Sequence, residues 1–366
     1  MSRRLLLAVL TLAACRAGGG ADAQQVTDAT IEATLPGRFG TLSNVVGTAT
    51  GKVLFADTKA RRLFVGDFAA GRADSIGVAR TDTLKADAPA EQYKFPGSLT
   101  LVGPDSVAVV DFAALRVTTW SSAGKALGVL RVPAVLGPAP VVNYDQRGRG
   151  YKVDFAAILG GSEPGTAIRP DSIAVVRFPL ATGTFDTVAF LQAPEYGDAY
   201  VGEQMQQVPR VFGPNDYMGV LPDGAVWVAR GRQNRVDWVL ADGRRVRGTA
   251  RAFEKVKVSD ADTARVIAQL RERGLPQQVP VQFPFAETKP PFENAIGNPR
   301  GEVWLQRSRA SDTEPAVYDV WGQDGTWKRA VRCPAGVTVA GFGAGGEVYA
   351  SRRNDDGSRS VVRLKA

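Results

Sequence analysis

The chain has 366 residues, 44% of them apolar, with 40 glycines and 22 prolines. That is ample for one large core, too apolar for bulk disorder and too rich in turn residues for a helical protein. The net charge is +8 and there is no histidine, which excludes Ser-His-Asp and Cys-His nucleophile systems, His-ligated zinc and His general-base chemistry.

Residues 1–14 read as an export signal. Met1-Ser2-Arg3-Arg4 is a positive leader, and residues 5–14 are an apolar run too short to span a bilayer. The run ends in Leu12-Ala13-Ala14-Cys15, which resembles a bacterial lipobox. The resemblance implies cleavage before Cys15, a lipid on its thiol and a place in the cell envelope, at the outer membrane or in the periplasm. Arg16 in place of Asp implies no inner-membrane retention. Cleavage after Ala21-Asp22-Ala23, which releases a soluble secreted chain, is the alternative. Residues 15–29 are expected to be a flexible tether, small and polar through residue 26, ahead of one domain at 30–366. With Cys15 lipidated, Cys333 has no disulfide partner and reads as a small buried filler.

From residue 51 onward one pattern recurs: a short run rich in Val, Phe, Trp or Tyr, a turn, and a second such run. The first unit covers 51–57 and 62–66 with a turn at 67–71. The second covers 105–111, 116–120 and 127–132, and the third, less regular, 147–154, 171–178 and 187–192. The fourth places 225–229 and 235–240 between the tight-turn dipeptides Asp223-Gly224 and Asp242-Gly243. The fifth covers 301–306, 316–321 and 327–332, and the sixth 346–351 and 360–364. Val53, Val107, Tyr151, Val226, Val303 and Val348 occupy one position in these units, at spacings of 54, 44, 75, 77 and 45 residues. The short spacings match a four-stranded blade and the long ones carry insertions. The fold predicted is all-β, a six-bladed β-propeller, with seven blades as the alternative because the third unit departs from the pattern. The last unit lacks a fourth strand. Residues 30–35 alternate as a strand does, and are expected to supply it and close the ring.

One helix is predicted between the fourth and fifth blades. Ser259 is its N-cap, Val266, Ile267 and Leu270 form an apolar stripe, and Gly274 ends it. Pro276, Pro280, Pro284 and Lys289-Pro290-Pro291-Phe292 follow. The insertion is expected over one face of the disc, packing a blade edge or covering a ligand site.

Lys52-Val-Leu-Phe-Ala-Asp57 with Arg62-Leu-Phe-Val65, and Ser106-Val-Ala-Val-Val-Asp111 with Arg116-Val-Thr-Thr-Trp120, resemble NHL-type six-bladed propeller repeats. The helical insertion followed by Lys289-Pro290-Pro291-Phe292 and Gly301-Glu302-Val303-Trp304 is similar to propeller lipoproteins of environmental bacteria. The resemblance covers residues 30–366 and implies that Asp57, Asp111 and Asp154 bond turn amides. The alternative is a carboxylate ring for Ca²⁺ at the channel mouth, as in propeller lactonases, with Asn143, Asn215 and Asn294 as further ligands. No other cofactor is expected: sugar-oxidising quinone propellers use a His base, absent here.

Tyr196, Tyr200 and Tyr217, with Glu195, Asp198 and Glu203, cluster in the long third-to-fourth connection and are the candidate ligand-facing residues. The densest basic stretch is Arg230, Arg232, Arg235, Arg244, Arg245, Arg247 and Arg251. It lacks the interleaved aromatics that single-stranded nucleic acid needs, so no nucleic-acid partner is expected. No Gly-rich phosphate loop opens a helix and no Cys spacing suits a metal. The function expected is a non-catalytic, lipid-anchored envelope propeller that binds a protein, peptide or glycan on one face. The alternative is a Ca²⁺-dependent propeller hydrolase of the lactonase or esterase kind.

Overall fold

The computed structural model describes residues 26–85, 87–130, 143–154, 171–179 and 184–366. The export signal, Cys15 and most of the expected tether lie outside them. A four-stranded antiparallel unit occurs six times among the described residues, five times as a whole sheet and once within a five-stranded one. From the inside outward the first is Val46–Gly47, Lys52–Asp57, Arg62–Asp67 and Arg72–Ile76; the second is Pro96–Gly103, Ser106–Asp111, Arg116–Ser121 and Ala126–Leu130. The third is Asn143–Tyr144, Arg149–Val153, Ser172–Pro179 and Asp186–Gln192; the fourth is Tyr217–Val220, Val226–Arg230, Arg235–Val239 and Arg245–Val246. The fifth is Phe292–Asn298, Glu302–Arg307, Val317–Gly322 and Trp327–Arg332. The sixth is Val337–Phe342, Val348–Arg353 and Arg359–Lys365, completed by Thr30–Phe39 from the other end of the chain. That is the closure expected for residues 30–35. Residues 26–28, inside the expected tether, form a strand. Val26–Asp28 pairs in parallel with the outer strand of the fifth sheet, so one N-terminal segment staples two sheets. The alternating pattern is too short there to announce a strand.

The innermost strands of consecutive sheets touch in turn, and that of the sixth touches that of the first, so they enclose a central channel. Sheets stacked this way are buried on both faces near the axis. Residues 53–56 of Lys52–Asp57 are accordingly a continuous apolar run, fully buried, whereas Arg72–Ile76 at the rim is mostly exposed. Each junction between neighbouring sheets holds its own apolar cluster, such as Leu54, Leu63, Tyr93, Val107 and Trp120 between the first and second. Leu221, Trp227, Phe292, Leu305 and Trp321 fill the junction between the fourth and fifth. The fold is an all-β propeller.

Chain direction sorts the connections. Those joining first to second and third to fourth strands turn on one face of the disc, and most are tight; Gly224, at φ +86°, is one of the glycines that permit this. The sheet-to-sheet connections leave on the other face and carry the insertions. The predicted helix, α1, spans Asp260–Glu272 between the fourth and fifth sheets, capped by Ser259 and Asp262 in a reciprocal capping box. The third-to-fourth connection is a hairpin, Tyr196–Val201 with Gln204–Pro209, and it pairs with Val281–Gln282 from the helical insertion. The two insertions therefore fold onto each other.

Candidate functional site

The channel holds a cavity of about 580 Å³ lined by the innermost strands of all six sheets. Its hydrogen-bonding side chains are mostly neutral: Ser43, Asn44, Ser98, Thr100, Asn143, Asn294 and Thr338. Arg359 is the one charged side chain among the described lining residues. Two of these groups hold the ring together. Asn44 accepts from the Leu99 N–H at 2.9 Å and donates to the Leu99 carbonyl at 2.6 Å, joining the first sheet to the second as a missing strand residue would. The sixth sheet meets the first by a direct bond, Val45 N–H to the Ala340 carbonyl at 2.9 Å. Trp227 enters the wall from behind. A Cβ on Gly219 would lie 2.3 Å from its ring and one on Gly297 2.5 Å from its Nε1, so both positions require glycine for close approach.

Two of the aspartates at the ends of the second strands, Asp57 and Asp111, have the role implied by the repeat. Asp57 accepts backbone N–H groups from Gly40 (2.7 Å), Thr41 (3.1 Å), Lys59 (3.1 Å) and Ala60 (3.0 Å). Asp111 repeats the set with Lys94 (2.7 Å), Phe95 (3.1 Å), Ala113 (3.1 Å) and Ala114 (3.0 Å). Both carboxylates are buried and fully engaged. Asp154 follows the second strand of the third sheet; in that sheet Asp145 is bound to Arg149 at 2.6 Å and Tyr151 at 2.8 Å.

Of the three asparagines proposed as calcium ligands, Asn143 and Asn294 reach the channel and Asn215 is not in its wall. Asn294 Oδ1 already accepts the Ala295 N–H at 2.9 Å, and Asn143 donates to the Met218 sulfur at 3.6 Å. Calcium takes six to eight oxygens, usually with carboxylates among them. Among the described residues no carboxylate lines the channel and no group of three metal-ligating acids exists. The donor set present does not fit a Ca²⁺ site.

The three tyrosines do not converge. Tyr196 and Tyr200 stand on the solvent face of the hairpin with Asp198, and Tyr200 is opposite Met205. Tyr217 belongs to the innermost strand of the fourth sheet; its hydroxyl donates to the Glu293 carbonyl at 2.9 Å, and burial, then the Glu293 charge, pushes its pKa up. Glu195 faces Arg232 at 3.4 Å. The basic stretch 230–251 is largely neutralised from within. Arg230 bonds Asp216 (2.7 Å) and Asp237 (2.8 Å), Arg235 bonds Asp237 (2.9 Å), Arg244 bonds Asp242 (2.7 Å) and Arg251 bonds Asp319 (3.1 Å). Cys333 is buried, which pushes its thiol up to about 12.

Ser43, Asn44, Ser98, Thr100 and Thr338 escaped the sequence reading. A signal for two of them was present: Asn44 and Ser98 each stand nine residues before the Val that anchors their unit, as do Tyr217 and Asn294, which the sequence had already singled out.

No family model and no curated protein matches the chain. Among solved structures it is similar to a gluconolactonase from Xanthomonas campestris, at 15% identity and a TM-score of 0.44, over 91% of this chain and 89% of that one. It is also similar to streptogramin B lyase, at 12% identity and a TM-score of 0.40 over 92% and 88% of the two chains. A third is the calcium-binding protein regucalcin from Agrobacterium tumefaciens, at 11% identity and a TM-score of 0.38 over 93% and 97%. At these identities no residue role transfers to this chain.

Proposed function

We propose that the protein is a lipid-anchored binding module of the bacterial envelope, tethered through Cys15, whose channel receives a neutral polar group of a glycan or peptide from the insertion-bearing face. The observation that supports this reading is the channel wall. Hydroxyl and amide side chains converge there from several sheets, with the carboxylate pair or general base of a hydrolase missing from the described lining. Such a wall matches a ligand that both donates and accepts hydrogen bonds and carries no net charge. Calorimetric titration of the full-length protein with neutral oligosaccharides and short peptides tests it. Binding should be indifferent to EDTA and should weaken up to about tenfold in Asn143→Ala, the loss of one hydrogen bond. Binding that is unchanged in that variant would sink the channel as the site.

The second reading is a Ca²⁺-dependent hydrolase, for which Asn143 and Asn294 are the expected ligands that reach the channel. Thermal unfolding in EDTA and then in millimolar Ca²⁺ separates the two. A cation at about 100 times its dissociation constant adds ~2.7 kcal/mol, and a rise of that size would replace the first reading with the second.

A further inference from the structure

We infer that the rim of the channel on the insertion-bearing face, across the sixth, first and second sheets, docks an acidic polysaccharide. This goes beyond the neutral channel reading and stands without it. The strip consists of Arg353, Arg359, Lys59, Arg61 and Lys94, with Phe95 and Phe112 among them. Its continuity is set by the backbone. Arg353 and Arg359 face each other across the second and third strands of the sixth sheet, Arg359 pairs with Phe39, and a Cβ on the next residue, Gly40, would lie 2.8 Å from the Lys59 side chain. Arg61, two residues on, carries its guanidinium 5.8 Å over the Phe95 ring, beside Lys94. Phe95 in turn contacts Phe112, with ring centroids 6.4 Å apart.

What sets this strip apart from the arginines of 230–251 is that its cations are unspent. None of the five makes an ion pair with a carboxylate among the described residues. The acids close by are committed: Asp57 and Asp111 hold four backbone N–H groups each, Asp356 holds Arg38 and Ser358, and Asp82, near enough to feel the Lys94 charge, is paired with Arg80 at 2.6 Å. Asp355, exposed in the 354–358 turn, is the remaining acid of that loop. Like charges directly opposite in a sheet repel, so the Arg353–Arg359 pair is a standing cost that an anion relieves. Arg359 also lines the channel, so the strip begins at its mouth.

The chemistry selects an acidic glycan over nucleic acid. Stacked bases need a succession of open aromatic faces. Here Arg61 covers Phe95 and only Phe112 stands open, at 46% exposure. Cations spread across three sheets suit carboxylates carried once per sugar, with one exposed ring for a sugar face.

The test measures binding of oligogalacturonates to the full-length protein at low and high NaCl, with maltooligosaccharides, poly-glutamate and single-stranded DNA in parallel. Lys59→Glu/Arg353→Glu alters two exposed side chains. Lys125→Glu/Arg247→Glu makes the same change in net charge away from the strip. The expected result is salt-sensitive oligogalacturonate binding, weakened by at least about tenfold in the first variant and by less than about twofold in the second. Maltooligosaccharides should show no such salt dependence. Failure of the wild type to bind, equal losses in the two variants, or tighter binding of poly-glutamate or DNA would each overturn the inference. Both variants should keep the wild-type melting temperature, and a strip variant that unfolds is replaced by Lys59→Gln/Arg353→Gln, which should lose binding by a smaller factor in the same direction.

Discussion

Removing one second-strand aspartate should cost as much stability as emptying part of the core. Asp57 is buried and ties four N–H groups from two segments, 40–41 and 59–60. A hydrogen bond to a charged group contributes about 1.5–3 kcal/mol net. The four share one carboxylate and their segments lie near solvent, so the sum is not additive, and Asp57→Ala should lose about 4 kcal/mol. Asp57→Asn is the sharper probe. Its carbonyl, placed where Oδ1 is, keeps Thr41, Lys59 and Ala60, and its NH₂ opposes only the Gly40 N–H. That variant should lose about 2 kcal/mol. Asp111 presents the same four bonds in the second sheet, so its two variants should reproduce the two losses. Asp67, which accepts only from Ala69 and Ala70 in an exposed turn, is the internal control and should lose far less. Urea unfolding reads all of them: at an m-value near 3 kcal/mol/M, Asp57→Ala should lower the midpoint by roughly 1.3 M. A loss below about 1 kcal/mol in Asp57→Ala, or dissimilar losses at Asp57 and Asp111, would refute the argument that these carboxylates hold the units together.

Three further outcomes follow from the packing. Asp262 and Lys289 are a buried ion pair at 2.8 Å; burial pushes the Asp262 carboxyl up, but bonds from Lys289 and Ser259 outweigh it and hold it at about 2. Its folded value lies below the ordinary one, so its contribution is present above about pH 4 and fades toward pH 2. Lys289→Met should cost about 3 kcal/mol at neutral pH, and its gap to the wild type should narrow across that window in pH-resolved denaturation. Gly297→Ala pushes a methyl into Trp227 and should cost about 1–3 kcal/mol, with the loss reduced in a Trp227→Phe background; equal losses in both backgrounds would mean that the indole is not the obstacle. Cys333, buried and with its thiol pushed up to about 12, should resist iodoacetamide in the native protein and react on unfolding.

Much of the fold was legible because a propeller repeats its local chemistry. The buried second strands announce themselves as apolar runs bounded by Gly and Asp, and the missing fourth strand of the last unit forced the search for one near residue 30. Val26–Asp28 was hidden because a parallel pairing three residues long leaves no period to detect. The hairpin at 196–209 looked like a loop because Gln204, Met205, Gln206 and Gln207 are all exposed. The site was less legible than the fold. The channel wall belongs to innermost strands, and that of the third sheet has only two residues. Alternation cannot be read in so short a strand, so Asn143 stood out by residue type alone. The pairing of the basic stretch is hidden for the opposite reason: charges adjacent in sequence meet acids outside it, such as Asp216 and Asp319.

That contrast bears on where the chain's excess positive charge acts. Net charge by itself says nothing about location. An arginine that ends on a buried aspartate is a structural cross-link, and Arg230 and Arg251 are of that kind. The cations with long-range reach are those whose nearby carboxylates are consumed by backbone N–H groups. In the first two sheets the repeat itself arranges this: Asp57 and Asp111, which close the second strands, are spent on their own turns and on the entry to their own innermost strands. Asp57, spent in this way, leaves Lys59 and Arg61 of its turn with no acid to answer them. Those turns all lie on the face to which the sheet-to-sheet connections run. Charge and insertions thus fall on the same face for separate reasons, one set by the chemistry of the repeat and one by the direction of the chain. A partner that approaches the channel mouth meets both.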